Sequence, residues 1–280
     1  MGGSSSGRLE GLDPAIRSYY DRWAEESRHL EGVFQLEHAR TREILARLMP
    51  RPPATVVDVG GAAGVYALWL AAQSYEVHLL DPIARLVALA RREAETTASR
   101  LASAEVGDAR SLPFGDASAD CVLLLGPLYH LVEKADRVRA ISEAARVLRH
   151  GGLLCAACIT RWASLLDGLA HDYLGDPRFV AIVQEDLRSG QHRNPTERPE
   201  YFTTAYFHTP QGLASEVGES GLTVVGLYGL EGPAGLLGDF DDRWADPRKR
   251  ADLLRVAREL EREPSLLGLS PHLLGIARKE

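Results

Sequence analysis

Between residues 55 and 159 the chain alternates short apolar runs with helical stretches, and no other feature restricts its fold as much. Residues 55–59 read as a strand entering a glycine turn, 65–72 as a helix, 76–80 as a second strand, and 83–101 as a helix rich in Ala, Leu and Arg. Residues 103–106 make a short third strand. Residues 120–125 make a fourth, almost wholly apolar, as a strand buried on both faces should be. A helix over 135–148 is stopped by Gly151–Gly152, and 153–159 is a fifth strand. Parallel strands need crossovers, and helices in those crossovers cover both faces of the sheet. The fold class is therefore α/β, with a doubly wound, mostly parallel sheet.

Residues 13–48 look helical, with Ile44, Leu45 and Leu48 at helical spacing, and Pro50, Pro52 and Pro53 end the pattern. Residues 162–208 break the rhythm. They are polar, contain Pro177, Pro195 and Pro199, and are too long for a plain connector, which suggests a lid. A helix over 210–220, a strand over 222–227, a charged helix over 242–262 and a last strand over 273–277 follow. The expected organisation is a flexible tail or expression remnant at 1–12, a helical cap at 13–50, a cofactor-binding core at 51–160, a lid insertion at 161–209, and the rest of the core at 210–280.

Composition narrows the function classes. Formal net charge is −7, so no bulk positive charge recruits nucleic acid. No apolar run reaches the roughly 18–20 residues that span a bilayer, and Met1–Arg8 has no apolar core of a signal peptide. A cytoplasmic protein, monomer or homodimer, is the expectation. Cys155 and Cys158 have CxxC spacing but sit in an apolar strand, whose alternation sends them to opposite faces. They read as core thiols, and no metal is expected.

The chemistry collects at the strand ends. Strand one runs into Asp58–Val59–Gly60–Gly61–Ala62–Ala63–Gly64. Glycines at such a turn let a ligand approach the backbone. Asp58 suits a ligand with a cationic amino-acid tail better than a pyrophosphate. Ala62 stands where a dinucleotide fingerprint has its middle glycine, and both residues argue against a nicotinamide oxidoreductase. Strand two ends in Asp81, 17 residues after Gly64, placed to take ribose hydroxyls. Strand three runs into Gly107–Asp108–Ala109, and strand four into Gly126–Pro127–Leu128–Tyr129–His130. All four tips share one edge of a parallel sheet, where open α/β folds bind ligands.

Asp58-x-Gly60-x-x-x-Gly64, Asp81, Gly107–Asp108–Ala109, Leu125–His130 and the 146–152 stretch together resemble the class I S-adenosylmethionine-dependent methyltransferases. The resemblance is good over 56–159 and weaker beyond. It implies a seven-stranded Rossmann-like sheet with an antiparallel edge, and S-adenosyl-L-methionine as cofactor. Asp58, Gly60, Gly61 and Gly64 would serve the methionine end, Asp81 the ribose, Asp108 and Ala109 the adenine, and Leu125 would close over the sulfonium. Ala62 departs from the usual glycine, which is tolerable if its φ stays negative.

His130 falls where that family places the reacting methyl, and is the candidate base for a hydroxyl, amine or carbon acid. Tyr129 reads as pocket wall. Tyr206 and His208 share one parity at the end of the insertion and are candidates for the acceptor pocket. So are Tyr20 and Arg40 in the N-terminal segment, where Arg40 could pair with the cofactor carboxylate. The expected reaction is in-line methyl transfer to O, N or C of a small molecule. A tRNA or protein methyltransferase, or a non-catalytic adenosylmethionine-binding module, would share the same core.

Overall fold

β-Branched and leucine-rich runs make the sheet, and its order sets where a ligand sits. In this computed structural model, residues 13–22, 29–97, 99–196 and 198–280 are described, and the tail expected at 1–12 lies outside them. The strands are β1 (Thr55–Val59), β2 (Glu76–Asp81), β3 (Ser103–Val106), β4 (Ala119–Leu124), β5 (Leu148–Ile159), β6 (Gln191–His192), β7 (Ala205–Tyr206), β8 (Thr223–Gly229) and β9 (His272–Arg278). The seven-stranded sheet runs β3-β2-β1-β4-β5-β9-β8. β1 to β5 pair in parallel, whereas β9 is antiparallel to both β5 and β8. The order reverses between β1 and β4, which opens a crevice beyond their carboxyl ends. Val59 pairs with Leu80 on one side and Leu124 on the other, so the three tips end level.

Helices α1 (Pro14–Arg22) and α2 (Phe34–Leu48) precede the sheet; α3 (Val65–Ala71), α4 (Ala84–Thr96), α5 (Pro127–His130) and α6 (Lys134–Val147) connect its parallel strands. Alternation along each strand feeds two cores. Val57, Val59, Val122, Leu124 and Cys158 join Ala140, Ile141 and Ala144 of α6 on one face. Val56, Leu79, Cys121, Leu123 and Cys155 join Ile44, Ala67, Leu70 and Val87 on the other. Cys155 and Cys158 thus lie on opposite faces as the alternation requires, and all three cysteines are buried and unbridged.

The insertion is more ordered than its polarity suggests. It folds as α7 (Ala163–Ala170), α8 (Pro177–Ser189) and a β6–β7 hairpin. Phe179, Ile182 and Val183 of α8 close on Tyr201 to form a small core of their own. After α9 (Pro210–Glu219), the charged helix expected over 242–262 is two helices, α10 (Phe240–Ala245) and α11 (Pro247–Leu260). Asp246 separates them by accepting the Arg248 and Lys249 amides as an N-cap, with Pro247 at the first helical position. The N-terminal helix is likewise interrupted, with Gly32 at φ +48° in the turn before α2. Two boundaries also move: α4 ends at Thr96, and β5 begins at Leu148.

Candidate functional site

The glycine turn works through close contacts. Gly60 has φ +72°, and a Cβ there would lie 2.7 Å from the ring of Pro127, so only glycine lets the tips of β1 and β4 meet. A Cβ on Gly61 would stand 2.8 Å from Asp58 Oδ2, because the Asp58 carboxylate lies tucked beneath the turn. Gly64, at φ +88°, caps α3. Asp58 is 1% exposed, and neither carboxylate oxygen has a hydrogen-bond partner. Burial, and then the Asp81 charge, push its pKa up to about 7; the Ala67 amide in the first turn of α3 eases this without meeting hydrogen-bond geometry. A buried carboxylate left in this state fits a ligand that brings its own cation.

Asp81 closes the same wall. Its Oδ1 accepts the Ile83 amide at 2.8 Å and its Oδ2 the Ala62 amide at 2.9 Å. Burial raises its pKa to about 6 against those two bonds. Ala62 does not keep a negative φ: it sits at +47°, in the left-handed region, where a Cβ costs roughly 1–2 kcal/mol. The bond to Asp81 holds it there. The Asp108 carboxylate is gripped by Arg110 through its side chain, with the shortest contact 2.6 Å, and through its amide at 2.8 Å. Any adenine amine would therefore share Asp108 with that guanidinium. Asp58, Gly60, Gly61, Asp81, Asp108, Ala109 and Leu125 line one cavity of about 220 Å³ together with Tyr20, Tyr129 and His130.

His130 ends α5, and both its ring nitrogens face partners. Nε2 lies 2.6 Å from the Tyr20 hydroxyl and Nδ1 3.3 Å from the Thr204 carbonyl. A carbonyl only accepts, so Nδ1 carries the proton and Nε2 accepts from Tyr20. The sequence suggested His130 as a base meeting the acceptor directly. Here Tyr20 stands at its basic nitrogen, brought in from α1 across the sheet edge. Phe202 of the insertion, with φ +65°, stacks on the imidazole at 6.0 Å between centroids.

Three expected pocket residues lie elsewhere. Arg40 is fully buried and pairs with Glu43 and Glu261, because its side of α2 packs on the C-terminal segment instead of the cavity. Tyr206 and His208 do share a side, with rings 4.7 Å apart, but that side faces a buried ion pair. Arg137 donates to Glu216 at 2.7 Å, its guanidinium lies 3.5 Å from the Tyr206 ring centre, and His208 Nε2 donates to Glu216 at 3.1 Å. Burial opposes ionisation of Glu216, but these two donors overcome it and hold its pKa near about 2. Arg137 also donates to the carbonyls of Leu131 and Val132, so the cluster braces the loop that follows His130.

Sequence reasoning missed a second cavity of about 530 Å³, which shares Phe34 with the first and is lined largely by the insertion. It also missed Glu37, Glu231 and His272, whose ligand atoms lie within 4.8 Å of one another, a grouping that could hold a cation. The three belong to α2, to the segment after β8 and to β9. His272 Nδ1 donates to Glu231 at 2.5 Å and stands 3.6 Å from Glu37.

These tips define an α/β protein with a ligand-sized crevice at the switch point of its sheet. A family model described as a methyltransferase domain matches residues 56–152. The ubiquinone/menaquinone biosynthesis C-methyltransferase UbiE of Acidiphilium cryptum is 35% identical over 196 residues, covering 68% of this chain and 75% of that protein. The probable tRNA methyltransferase 9B of Mus musculus is 32% identical over 140 residues; the match takes in 46% of this chain but spans only 29% of that relative's length. The solved structure of a Pyrococcus horikoshii protein shares the fold with TM-score 0.60, covering 94% of this chain and 99% of that one at 17% identity. The chain belongs to the class I S-adenosylmethionine-dependent methyltransferase family. Among the described residues, no helix is long and apolar enough to cross a membrane.

Proposed function

We propose that this protein transfers a methyl group from S-adenosylmethionine to a small-molecule nucleophile that loses a proton on reaction. The observation that carries this reading is the Tyr20–His130 pair, which lines the same cavity as the four strand tips. The cofactor supplies a methyl carbon activated by a sulfonium: a bond forms from the acceptor atom to that carbon while the carbon–sulfur bond breaks and its electron pair stays on sulfur. The orphaned Asp58 carboxylate takes the cationic end, Asp81 the ribose, and Asp108 and Ala109 the adenine edge. The acceptor's proton passes to the Tyr20 oxygen as the Tyr20 proton moves to His130 Nε2. Thr204 holds the far side of the imidazole, and the insertion to which it belongs acts as a lid over the strand tips.

Positioning and water exclusion carry most of the rate in such a displacement, and the proton relay adds ~10²–10⁴-fold where the nucleophile needs it. An RNA acceptor is disfavoured by the net charge of −7 and by the limited share of the tRNA-modifying relative that the match covers. The test is a calorimetric titration with S-adenosylmethionine, followed by labelled methyl transfer to panels of phenols, amines, carbon acids and tRNA. Transfer to the tRNA alone would refute the small-molecule reading, and absence of cofactor binding would refute the whole of it.

A further inference from the structure

The cofactor's amino-acid tail carries two charged heads, and Asp58 suits only the ammonium. The carboxylate sits on the same carbon, so its partner must stand beside Asp58 and away from the adenine end. Arg40, the residue the sequence suggested, is spent on Glu43 and Glu261. The glycine turn has few amides to offer. Those of Gly60 and Gly61 donate to the Leu80 carbonyl, that of Ala62 to Asp81, and that of Gly64 to the Gly61 carbonyl.

Among the described lining residues of the cofactor cavity, the side chains able to bear a positive charge are His29, His38, Arg110 and His130. Arg110 lies at the adenine end, paired with Asp108 and Asp136. His130 is committed to Tyr20 and Thr204. The other two are neighbours, with rings 5.0 Å apart. His38, on α2, is the one tied to the Asp58 end. Its ring lies 5.3 Å from that of Tyr66, in the first turn of α3, and the next residue, Ala67, turns its amide toward Asp58. His38 Nδ1 is buried and has no hydrogen-bond partner among the described residues.

Burial, then His29 and Arg42, lower the His38 pKa to about 4. The ring is therefore neutral near pH 7, and in either tautomer it has one N–H to give. Arg42 is itself stacked on Trp69 at 4.7 Å, so it acts on His38 through its field. The cationic surroundings that oppose a proton on His38 favour an anion beside it. Asp58 and Glu37 line the same end of the cavity and repel a carboxylate, which settles there only against such a donor.

We propose that His38 donates a hydrogen bond to the carboxylate of the cofactor's methionine tail, the counterpart of Asp58 at the ammonium. The proposal rests on the cofactor assignment above. The test uses the full chain and two ligands that differ only in that carboxylate, S-adenosylhomocysteine and its decarboxylated analogue, which ends in a primary amine. By calorimetry the wild type should bind S-adenosylhomocysteine at least about tenfold more tightly, the worth of a hydrogen bond to a charged group. His38→Phe keeps a ring against Tyr66 and removes the N–H. It should weaken S-adenosylhomocysteine at least about tenfold and leave the amine within about twofold, with melting temperature little changed. In the wild type, the His38 imidazole followed by NMR should titrate at a higher pH with S-adenosylhomocysteine bound, because a carboxylate beside the ring favours its protonated form, whereas the amine should not raise it. A carboxylate preference that survives His38→Phe, or a His38 titration that S-adenosylhomocysteine does not move, would overturn the proposal. If the wild type binds S-adenosylhomocysteine no better than the amine, the carboxylate assignment alone fails. If S-adenosylhomocysteine does not bind the wild type at all, the methyltransferase reading fails.

Discussion

Asp58→Asn removes the charge that the unliganded site accommodates worst. Burial and the Asp81 charge raise the Asp58 pKa from 3.8 to about 7, so the folded protein binds a proton that the unfolded chain releases. For a raised carboxylate the sign is fixed. The stabilisation is fully present below the unfolded pKa and is lost as pH rises through the folded one. At pH 5 the folded group is protonated and the unfolded one ionised; by pH 8 both are ionised. Linkage over that interval amounts to about 2–3 kcal/mol, or ~5–10 °C in melting temperature for a domain of this size. Asp81, raised to about 6, adds in the same direction, so wild type minus Asp58→Asn isolates the Asp58 part. Melting of both proteins from pH 5 to pH 8 should show the wild type losing stability on that scale and the variant a shallower slope. S-Adenosylmethionine should reverse the trend, because its ammonium favours ionised Asp58 and binding then releases a proton. Wild-type affinity should therefore rise with pH up to about 7 and level off. In the variant the rise should be shallower, with Asp81 alone titrating, and the affinity weaker by ~1.5–3 kcal/mol, the worth of a charge-assisted bond. Parallel melting curves, or a cofactor affinity with the same pH dependence in both proteins, would refute the assignment of Asp58 as the cation's partner.

Four further outcomes follow from the same geometry. Ala62→Gly should relieve the left-handed strain and stabilise the fold by about 1 kcal/mol with little change in cofactor affinity, as read by melting and calorimetry. Gly60→Ala should instead cost cofactor binding at least about tenfold, because its Cβ meets the Pro127 ring at 2.7 Å. Tyr20→Phe and His130→Ala should each slow turnover by ~10²–10⁴-fold with cofactor affinity retained, and the double variant should be no slower than the worse single one, since the two act as one relay. Arg137→Met should destabilise by ~3–5 kcal/mol through the stranded Glu216, whereas Arg137→Met with Glu216→Leu should recover most of that in denaturant unfolding.

What was legible in the sequence divides by distance along the chain. The strand tips were readable because a parallel sheet with alternating burial leaves little choice: once Val56–Val59 and Val122–Leu124 are strands, Asp58, Asp81, Asp108 and Leu125 must reach one edge. The antiparallel end of the sheet followed instead from the resemblance to the methyltransferase family, and β9 runs antiparallel to β5 and β8. Parity also placed Tyr206 and His208 on a common side, but parity has two values and says nothing about what each side faces. The answer depended on Arg137 and Glu216, 79 residues apart and buried together. Arg40 failed likewise, since its partner Glu261 arrives 221 residues later. Tyr20 and Thr204 reach His130 from 110 and 74 residues away, and only the assembled edge shows that the imidazole is spoken for at both nitrogens.

Ala62 is a different kind of miss, because it is local. The reading allowed alanine on condition of a negative φ, and the turn imposes a positive one. The reason lies in what its amide does. Asp81 is buried, carries a raised pKa, and stays useful to a ligand only if its carboxylate is fixed; the amides of Ile83 and Ala62 fix one oxygen each. Turning Ala62 back to negative φ would withdraw one of those donors and leave a buried oxygen unsatisfied, at ~1–3 kcal/mol, as much as or more than the backbone strain it would relieve. The strained alanine is thus the cheaper of two local minima. Its φ follows from Asp81, 19 residues on, so a turn that looks local in sequence takes its conformation from the neighbouring strand.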